Sequence, residues 1–155
     1  MTAYRIYFDA CALNRLSDDA SQARVLAEAQ AVESILSFVF AAQVEWVGSR
    51  ALEVELTQNP DASKLEDSLE LLAHARPLEV ADESIRRRAI TLGLLGYGAF
   101  DALHLAHAES ARVDGLLTTD DRFIGKAGRG LGNRLVRVVN PIDWLQEVRQ
   151  WLRVK

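Results

Sequence analysis

The chain has 155 residues, of which 49% are hydrophobic and 26% charged, and it contains 9 glycines and 3 prolines. These proportions exclude a disordered or collagen-like chain and predict one compact domain over residues 1–155, with a core that needs no disulfide. The net charge of −4 argues against a protein that binds nucleic acid by broad electrostatic attraction alone. The single cysteine, Cys11, excludes an internal disulfide and is typical of a reducing compartment, so we expect a cytoplasmic protein.

Neither a secretory signal nor a membrane span is expected. Residues 1–8 lack the basic region and long apolar stretch that a signal peptide requires. No apolar run approaches the roughly 18 residues that a spanning helix needs.

The first half of the chain alternates between short β-branched or aromatic runs and longer segments with apolar residues at helical spacing. These patterns predict, in order, a strand over residues 5–9, a helix over 20–42, a strand over 44–47 and helices over 49–57 and 61–75. Asp18 or Asp19 is expected to cap the first helix, and Ser49 the second. Asp61 or Ser63 is expected to begin the third.

The second half continues this alternation. It predicts, in order, a strand over residues 77–80, helices over 82–95 and 100–112, a strand over 115–119, a short helix over 120–126, a strand over 135–139 and a helix over 140–151. Pro77 favours a sheet edge for the first of these strands, and Pro141 suits the first turn of the last helix. Strands that alternate with helices predict an α/β fold, with a parallel sheet covered by helices on both faces.

Four acidic residues lie at the ends of predicted strands or in the helices near them: Asp9, Glu55, Asp101 and Asp120. Taken singly, each is explained as a turn, cap or solvated helix residue. Ligands of an open parallel sheet bind beyond the carboxyl ends of its strands, so the three aspartates are expected at one level of the fold. Several carboxylates at one site repel one another unless a cation is bound, and hard divalent ions prefer oxygen ligands. The grouping predicts a Mg²⁺ or Mn²⁺ site and chemistry on phosphate.

The chain resembles PIN-domain proteins in five segments that occur in the expected order and spacing: IYFDACALNRL, SRALEVELTQNP, FDALHLAHAE, LLTTDDRF and VVNPIDWL. The resemblance covers nearly the whole chain. It implies a three-layer α/β/α sandwich with a central, mostly parallel sheet, and a metal-dependent endoribonuclease that acts on RNA. Many bacterial members are toxins of the VapC type, so the resemblance also points to an antitoxin as a protein partner.

The resemblance assigns the family's four catalytic and metal-binding acids to Asp9, Glu55, Asp101 and Asp120. Two glutamates compete for the second position, because residues two apart on a helix point about 200° apart and only one can face the site. The spacing to Asn59-Pro60 and the apolar neighbours favour Glu55 over Glu53. Asp121 is an alternative to Asp120 and otherwise a supporting residue.

One departure from the family concerns the residues after the first aspartate. PIN-domain proteins commonly carry Ser or Thr there, whereas this chain has Ala10-Cys11-Ala12. Cys11 either replaces the hydroxyl as a weak donor near the site or is a small buried residue. Thr118 or Thr119, beside Asp120, either holds a site carboxylate or is an ordinary strand residue.

His104 lies one helical turn after Asp101 in the segment FDALHLA. It is interpreted either as a residue that orients the Asp101 carboxylate or as a packed histidine with hydrogen-bonded ring nitrogens. The other two histidines, His74 and His107, are interpreted as surface or interhelix residues.

A basic stretch follows Asp120, with no acidic residue between Arg122 and Arg137. Its glycines predict that much of it is a loop. We expect this loop to contact RNA phosphates beside the metal site, the alternative being a solvated loop. The residues expected to make these contacts are Arg122, Lys126, Arg129 and Arg134. Because a bound cation would offset the charge of the four acids, the net charge of −4 does not exclude an RNA substrate.

Two alternatives to a ribonuclease stay open. The first is a catalytically impaired PIN-like module that binds RNA or a protein partner, which the missing Ser or Thr favours and the full set of acids opposes. The second is another Mg²⁺-dependent phosphotransfer enzyme, but the chain has neither Asp-x-Asp after its first strand nor a Gly-Lys-Ser/Thr phosphate loop. The apolar residues Phe38, Val39 and Phe40 are interpreted as core, with an antitoxin or homodimer contact as the alternative.

Overall fold

The computed structural model describes residues 4–75, 78–130 and 136–152 of the chain. Within these ranges the strands are β1 (Tyr4–Phe8), β2 (Val44–Trp46), β3 (Gly48–Ser49), β4 (Leu78–Glu79), β5 (Gly115–Leu117) and β6 (Arg137–Val139). The helices are α1 (Ala10–Asn14), α2 (Ala23–Phe40), α3 (Arg50–Leu56), α4 (Ala62–Leu72), α5 (Glu83–Leu94), α6 (Ala99–Ser110), α7 (Asp121–Gly128) and α8 (Pro141–Val148). The predicted alternation is confirmed, with boundaries that differ by a few residues, and the short helix α1 and the two-residue strand β3 are additions to it.

Four parallel strands form the central sheet in the order β2-β1-β5-β6. The strand β1 is paired on both sides, with Ile6 opposite Trp46 of β2 and Phe8 opposite Leu117 of β5. This inner position explains why Ile6, Tyr7 and Phe8 are fully buried and why the strand is β-branched and aromatic. The parallel register brings the carboxyl ends of β1, β5 and β6 to one edge of the sheet.

A second sheet of two parallel strands joins β3 to β4, with Gly48 opposite Leu78. The strand predicted over residues 77–80 therefore lies outside the central sheet and not at its edge, and Pro77 is outside the described residues. Gly48 permits the close approach of the two strands, because a Cβ atom there would come within 2.8 Å of the Leu78 side chain. The pairing holds the chain directly before α3.

Helices cover both faces of the central sheet. On one face α2 packs against α8 and β2, and on the other α6 packs against β5, α5 and α3. Apolar side chains such as Phe8, Trp46 and Phe38 fill the space between the layers, whereas Phe40 is exposed and lies edge-on to His74. The fold is thus the expected three-layer α/β/α sandwich with a parallel central sheet. Within the described ranges, no helix is both long and apolar enough to cross a membrane.

Side-chain caps define where several helices begin. Ser49, Asp61 and Asn140 each accept a hydrogen bond from a backbone N–H group in the first turn of α3, α4 and α8. Pro141 occupies the first turn of α8, where its missing N–H group is not needed. These caps agree with the sequence prediction.

The cap predicted for the long helix is wrong. Helix α2 begins after Gln22, whose side chain makes no capping hydrogen bond. Asp18 instead pairs with Arg15 at 2.7 Å, and Asp19 accepts a hydrogen bond from the N–H group of Ser21. Both carboxylates therefore stabilise the turn before α2, because closer donors are available to them there.

Candidate active site

Asp9 is the first residue after β1 and caps the short helix α1. Its backbone is extended, and its Oδ1 atom accepts a hydrogen bond of 2.9 Å from the N–H group of Ala12. The residue is only 2% exposed. Burial, together with the charge of Glu55, raises the pKa of the carboxyl to about 7 despite the hydrogen bonds from Thr118 and Ala12. A buried acid that is costly to ionise is typical of a functional site.

Thr118 links Asp9 to Asp120. Because Phe8 pairs with Leu117, the residues that follow them, Asp9 and Thr118, lie side by side beyond the sheet edge. The Oγ1 atom of Thr118 accepts a hydrogen bond of 3.1 Å from the backbone N–H group of Asp120, and its hydroxyl group bonds the Asp9 carboxyl. Of the two interpretations of this threonine, the structure supports the one in which it holds a site carboxylate.

Helix α3 presents Glu55, and not Glu53, toward Asp9. The Oε1 atom of Glu55 lies 2.9 Å from Nε2 of His104, and the charge of Glu55 contributes to the raised pKa of Asp9. Glu53 instead pairs with Arg50 at 2.7 Å. The choice follows from helix geometry, since residues two apart point in different directions.

Asp101 and Asp120 lie at the starts of two different helices. Gly98 is the N-cap of α6, so Asp101 lies in the first turn and is not a cap. Asp120 caps α7, and its Oδ1 atom accepts a hydrogen bond of 2.9 Å from the N–H group of Arg122. Burial raises the pKa of the Asp101 carboxyl to about 6, and the charges of Asp120 and Glu55 add to this effect. These carboxylates are therefore close enough to repel one another.

Cys11 lies within electrostatic reach of all four acids. Partial burial raises the pKa of its thiol to about 12, and the charges that add to this effect are those of Asp9, Glu55, Asp120 and Asp101. The raised pKa disfavours a thiolate nucleophile, and the protonated thiol is a weak hydrogen-bond donor. Cys11 is solvent-exposed, so the interpretation as a small buried residue is wrong. We refer to the four acids around Cys11 as the acidic cluster.

The acidic cluster supplies oxygen atoms and negative charge, which are what Mg²⁺ and Mn²⁺ prefer. As the side chains stand, no three acidic, histidine or cysteine residues in the described part of the chain converge closely enough to hold a metal ion. The cluster thus fits a hard divalent cation in its ligand chemistry and charge. Binding would require the carboxylates to move closer together.

The residues of the acidic cluster all fall within one matched region. The chain matches the PIN domain family over residues 6–128, from β1 to the end of α7. The chain belongs to the PIN-domain family. PIN domains are generally nucleases, so the family implies hydrolysis of a nucleic acid. A comparison with curated proteins gives no match.

In this PIN domain, Asp121 lies apart from the acidic cluster. Its carboxylate accepts two hydrogen bonds from Arg24, of 2.7 and 2.9 Å, and this pairing lowers the pKa of Asp121. Arg24 also contacts the buried carboxylate of Glu28 at 3.3 Å. Asp121 thus ties the start of α7 to α2, and its supporting role beside Asp120 stays a prediction.

The basic residues after Asp120 begin on the short helix predicted over residues 120–126, which is confirmed as α7 and continues to Gly128. The predicted loop lies beyond it, where residues 131–135 are outside the described ranges. Helix α7 includes Gly125 and Gly128, and Arg129 is its C-cap. Two glycines cost a helix about 1 kcal/mol each. The Asp120 cap and the burial of Phe123 against the core offset that cost.

Three cations share one side of α7, because Arg122, Lys126 and Arg129 follow one another at intervals of four and three residues. The Nζ atom of Lys126 donates a hydrogen bond of 2.6 Å to the carbonyl oxygen of Gly96. Lys126 also lies close enough to Asp101 for its charge to lower the pKa of that carboxyl, although burial has the larger, opposite effect. We call Arg122, Lys126 and Arg129 the cationic face, and it borders the acidic cluster.

The remaining basic residues of the stretch do not extend this face. Arg134 lies outside the described residues. Arg137 forms an ion pair with Glu147 of α8. The structure therefore brings three of the four expected RNA-contacting residues together.

Sequence reasoning missed a buried set of hydrogen-bonded side chains behind the acidic cluster. Oγ of Ser49 lies 2.5 Å from Oη of Tyr7, which lies 2.6 Å from Nδ1 of His104. The other ring nitrogen of His104 contacts Glu55, so this histidine is packed and hydrogen-bonded on both sides. Of the two interpretations of His104, the structure supports the packed one, and the carboxylate that it contacts is that of Glu55.

The strand and helix periodicities of the sequence indicate where Tyr7 and His104 of this buried set lie. Tyr7 precedes Asp9 by two residues in extended backbone, so the two side chains point to the same face of the sheet. His104 follows Asp101 by three residues, so both lie on one side of α6. The two pairs together indicate that Tyr7 and His104 lie one layer below the acids.

Proposed function

We propose that the protein is a metal-dependent endoribonuclease that hydrolyses RNA phosphodiester bonds. The observation that supports this most strongly is that four carboxylates lie within electrostatic reach of the Cys11 thiol in a PIN domain. We assign the catalytic and metal-binding roles to the acidic cluster: Asp9, Glu55, Asp101 and Asp120. The proposed cofactor is Mg²⁺ or Mn²⁺.

The electrostatics of the acidic cluster favour a bound cation. Burial raises the pKa of Asp9 to about 7 and that of Asp101 to about 6; the charge of Glu55 adds to both effects, and that of Asp120 adds to the effect on Asp101. Such a cluster is costly to ionise fully without a counter-charge. A divalent ion removes that cost, because each carboxylate then gains an attractive partner.

Local hydrogen bonds restrict the conformations of three carboxylates of the cluster, which would still have to close on a cation. Asp9 is held by the N–H group of Ala12, Asp120 by its capping hydrogen bond from Arg122, and Glu55 by His104. Side chains fixed in this way lose less conformational entropy when an ion binds. The bound ion would activate a water molecule as the nucleophile and offset negative charge on the scissile phosphate.

The cationic face supports RNA as the substrate of an acidic protein. Arg122 and Arg129 are exposed on α7, and Lys126 is half-buried between Gly96 and Asp101. Cations beside an acidic site attract the phosphates on either side of the scissile bond and fix the register of the strand. The metal ion and the cationic face would together offset the net charge of −4 where RNA binds.

The test is an RNA cleavage assay with Asp9→Asn, with Mg²⁺ or Mn²⁺ present or chelated. Asn keeps the side-chain oxygen that caps α1 but removes the negative charge. The matched control is Asp67→Asn, which removes the same charge from the exposed side of α4. We expect Asp9→Asn to lose cleavage and Asp67→Asn to retain it. Undiminished, metal-independent cleavage by Asp9→Asn would overturn the proposal.

The toxin of a toxin–antitoxin pair is the biological role that we infer for this nuclease. Exposed apolar side chains on α5 offer a surface that a protein partner such as an antitoxin could cover, with Ile90 64% and Leu94 84% exposed. Induced expression of the chain is expected to stop the growth of a bacterial host, and Asp9→Asn is expected to restore it. Normal growth with wild-type protein at the same level would argue against a toxin.

The alternative is a catalytically impaired PIN-like module that binds RNA or a protein partner. It is favoured by the absence of three converging ligands in the described ranges and by Ala10-Cys11-Ala12 after the first acid. This alternative predicts RNA binding without cleavage at any Mg²⁺ or Mn²⁺ concentration. The cleavage assay with the wild-type chain therefore separates the two functions.

A further inference from the structure

A buried row of hydrogen bonds leads from the start of α3 to the Glu55 carboxylate. It begins at the backbone N–H group of Leu52, which donates to Oγ of Ser49 at 3.1 Å. Ser49 contacts Tyr7 at 2.5 Å, Tyr7 contacts Nδ1 of His104 at 2.6 Å, and Nε2 of His104 contacts Glu55 at 2.9 Å. Ser49, Tyr7 and His104 are fully buried.

The chemistry of the two ends determines the direction of every hydrogen bond in this row. The N–H group of Leu52 donates, so the Ser49 hydroxyl accepts it and gives its own proton to Tyr7. Tyr7 then donates to Nδ1 of His104, and the proton on Nε2 goes to Glu55, because a carboxylate only accepts. In the reverse direction, the Ser49 proton would find no acceptor among the described residues. The row therefore directs the Nε2 proton of His104 toward Glu55 and leaves Nδ1 to accept the proton of Tyr7.

We propose that Ser49, Tyr7 and His104 form a positioning relay that orients the Glu55 carboxylate for a divalent cation. The relay engages Oε1 of Glu55, and in the described part of the chain no second donor contacts this carboxylate. The other oxygen, Oε2, is left to face the ion. This inference rests on the proposed function, since it treats Glu55 as a metal ligand.

The hydrogen bond from His104 fixes the orientation of the Glu55 carboxylate and leaves its second oxygen for the cation. A metal ligand held by an outer hydrogen bond is also more rigid, which raises metal affinity. His104 itself contacts Glu55 and not the ion, so its role is to position.

Aromatic rings pack against the His104 ring and hold it in place within the relay. The ring of His104 lies 5.4 Å from that of Tyr7 and 6.1 Å from that of Phe100, measured between ring centres.

His107 provides a contrast on the same helix. It is fully buried as well, but neither of its ring nitrogens has a partner in the described part of the chain. His107 therefore serves as a matched control, being a buried histidine of α6 outside the relay.

The experiment measures the affinity of the full chain for Mn²⁺ by calorimetry. His104→Leu removes the donor to Glu55 and is expected to weaken Mn²⁺ binding by about 10- to 100-fold. His104→Gln, whose amide can still donate toward Oε1, is expected to recover part of the loss. Tyr7→Phe removes one hydroxyl group from the relay, and its Mn²⁺ affinity is expected to lie between those of His104→Leu and His104→Gln. The control, His107→Leu, is expected to bind Mn²⁺ as the wild type does.

A second measurement, on metal-free protein, uses NMR of the imidazole nitrogens. The wild type is expected to show His104 with its proton on Nε2, and Tyr7→Phe to keep that tautomer, because Glu55 still only accepts. A His104 proton on Nδ1, or wild-type Mn²⁺ affinity in His104→Leu, would overturn the relay. If His104→Leu does not fold, wild-type Mn²⁺ affinity in Tyr7→Phe would overturn it. If the wild-type chain binds no Mn²⁺, the proposed function is overturned, and the role of the relay in metal binding with it. The His104 tautomer then still tests the donor–acceptor direction of the hydrogen bonds in the row.

Discussion

The hydroxyl group of Thr118 bonds the buried carboxyl of Asp9 across the β1–β5 strand pair. The same hydroxyl oxygen accepts the backbone N–H group of Asp120, so one side chain spans two acids of the cluster. The family commonly places a hydroxyl after the first aspartate, where this chain has Cys11. Here a hydroxyl group reaches Asp9 from the neighbouring strand.

Thr118→Val tests this link with a substitution of nearly equal shape. Valine removes the donor to Asp9 and the acceptor for the N–H group of Asp120, so the pKa of Asp9 should rise further. A hydrogen bond to a charged group contributes about 1.5–3 kcal/mol, so Mn²⁺ affinity should fall about 10- to 100-fold. Calorimetry with Thr57→Val, an exposed hydroxyl at the end of α3, provides the control. Equal affinities in the two variants would contradict the link.

The raised pKa of Asp9 predicts that removing its charge stabilises the metal-free protein. Its carboxyl has a pKa of about 7 when folded and an ordinary value near 4 when unfolded, so folding takes up a proton between these values. The wild type therefore loses stability as pH rises through this range. Asp9→Asn should be more stable than wild type by about 2–4 kcal/mol at about pH 8, with little difference near pH 4. Urea unfolding in chelator at both pH values measures this, and a difference independent of pH would contradict it.

His107 predicts a pH effect of opposite sign. Burial lowers the pKa of its ring to about 4, so between the ordinary value of about 6.5 and about 4 only the unfolded chain takes up the proton. Stability should therefore fall as pH drops through this range. His107→Leu should gain about 1–2 kcal/mol over wild type at about pH 5 relative to its difference at about pH 8. Thermal or urea unfolding of both proteins checks this, and parallel pH profiles would refute it.

The cationic face predicts the salt dependence of RNA binding. Neutralising one phosphate contact should lower the slope of log affinity against log salt by about 0.7 for a single strand. We expect this change for Arg122→Gln and for Arg129→Gln. Arg87→Gln is the control, because Arg87 lies on α5 and pairs with Glu83. If the slopes are equal in all three variants, Arg122 and Arg129 contact no phosphate, and this side of α7 is ordinary solvated surface.

Much of the fold follows from local sequence signals. The buried run Ile6-Tyr7-Phe8 and the caps Ser49 and Asn140 are readable because strand burial and helix capping involve neighbouring residues. The position of Asp9 and Asp120 beyond strand ends then follows from the parallel sheet alone. The β3–β4 pair was not readable, because two residues per strand leave no period to detect.

The candidate site was readable only in part, because its support comes from distant residues. The partner of Glu55 is His104, 49 positions away, and that of Tyr7 is also His104, 97 positions away. Local patterns indicate which face such residues occupy but not which partner they meet. Gly128 in α7 shows the converse, since the helix continues past its predicted end at residue 126 and includes a residue typical of loops.

The most direct test of the central claim compares RNA cleavage by Glu55→Gln and Glu53→Gln over a range of Mg²⁺ concentrations. Both changes remove one charge from α3, but only Glu55 belongs to the acidic cluster, since Glu53 pairs with Arg50. Glu55→Gln is expected to lose about 100-fold or more in cleavage rate and to need more Mg²⁺, whereas Glu53→Gln is expected to cleave as the wild type does. Equal, Mg²⁺-dependent cleavage by the two variants would contradict the assignment of Glu55 to the metal site.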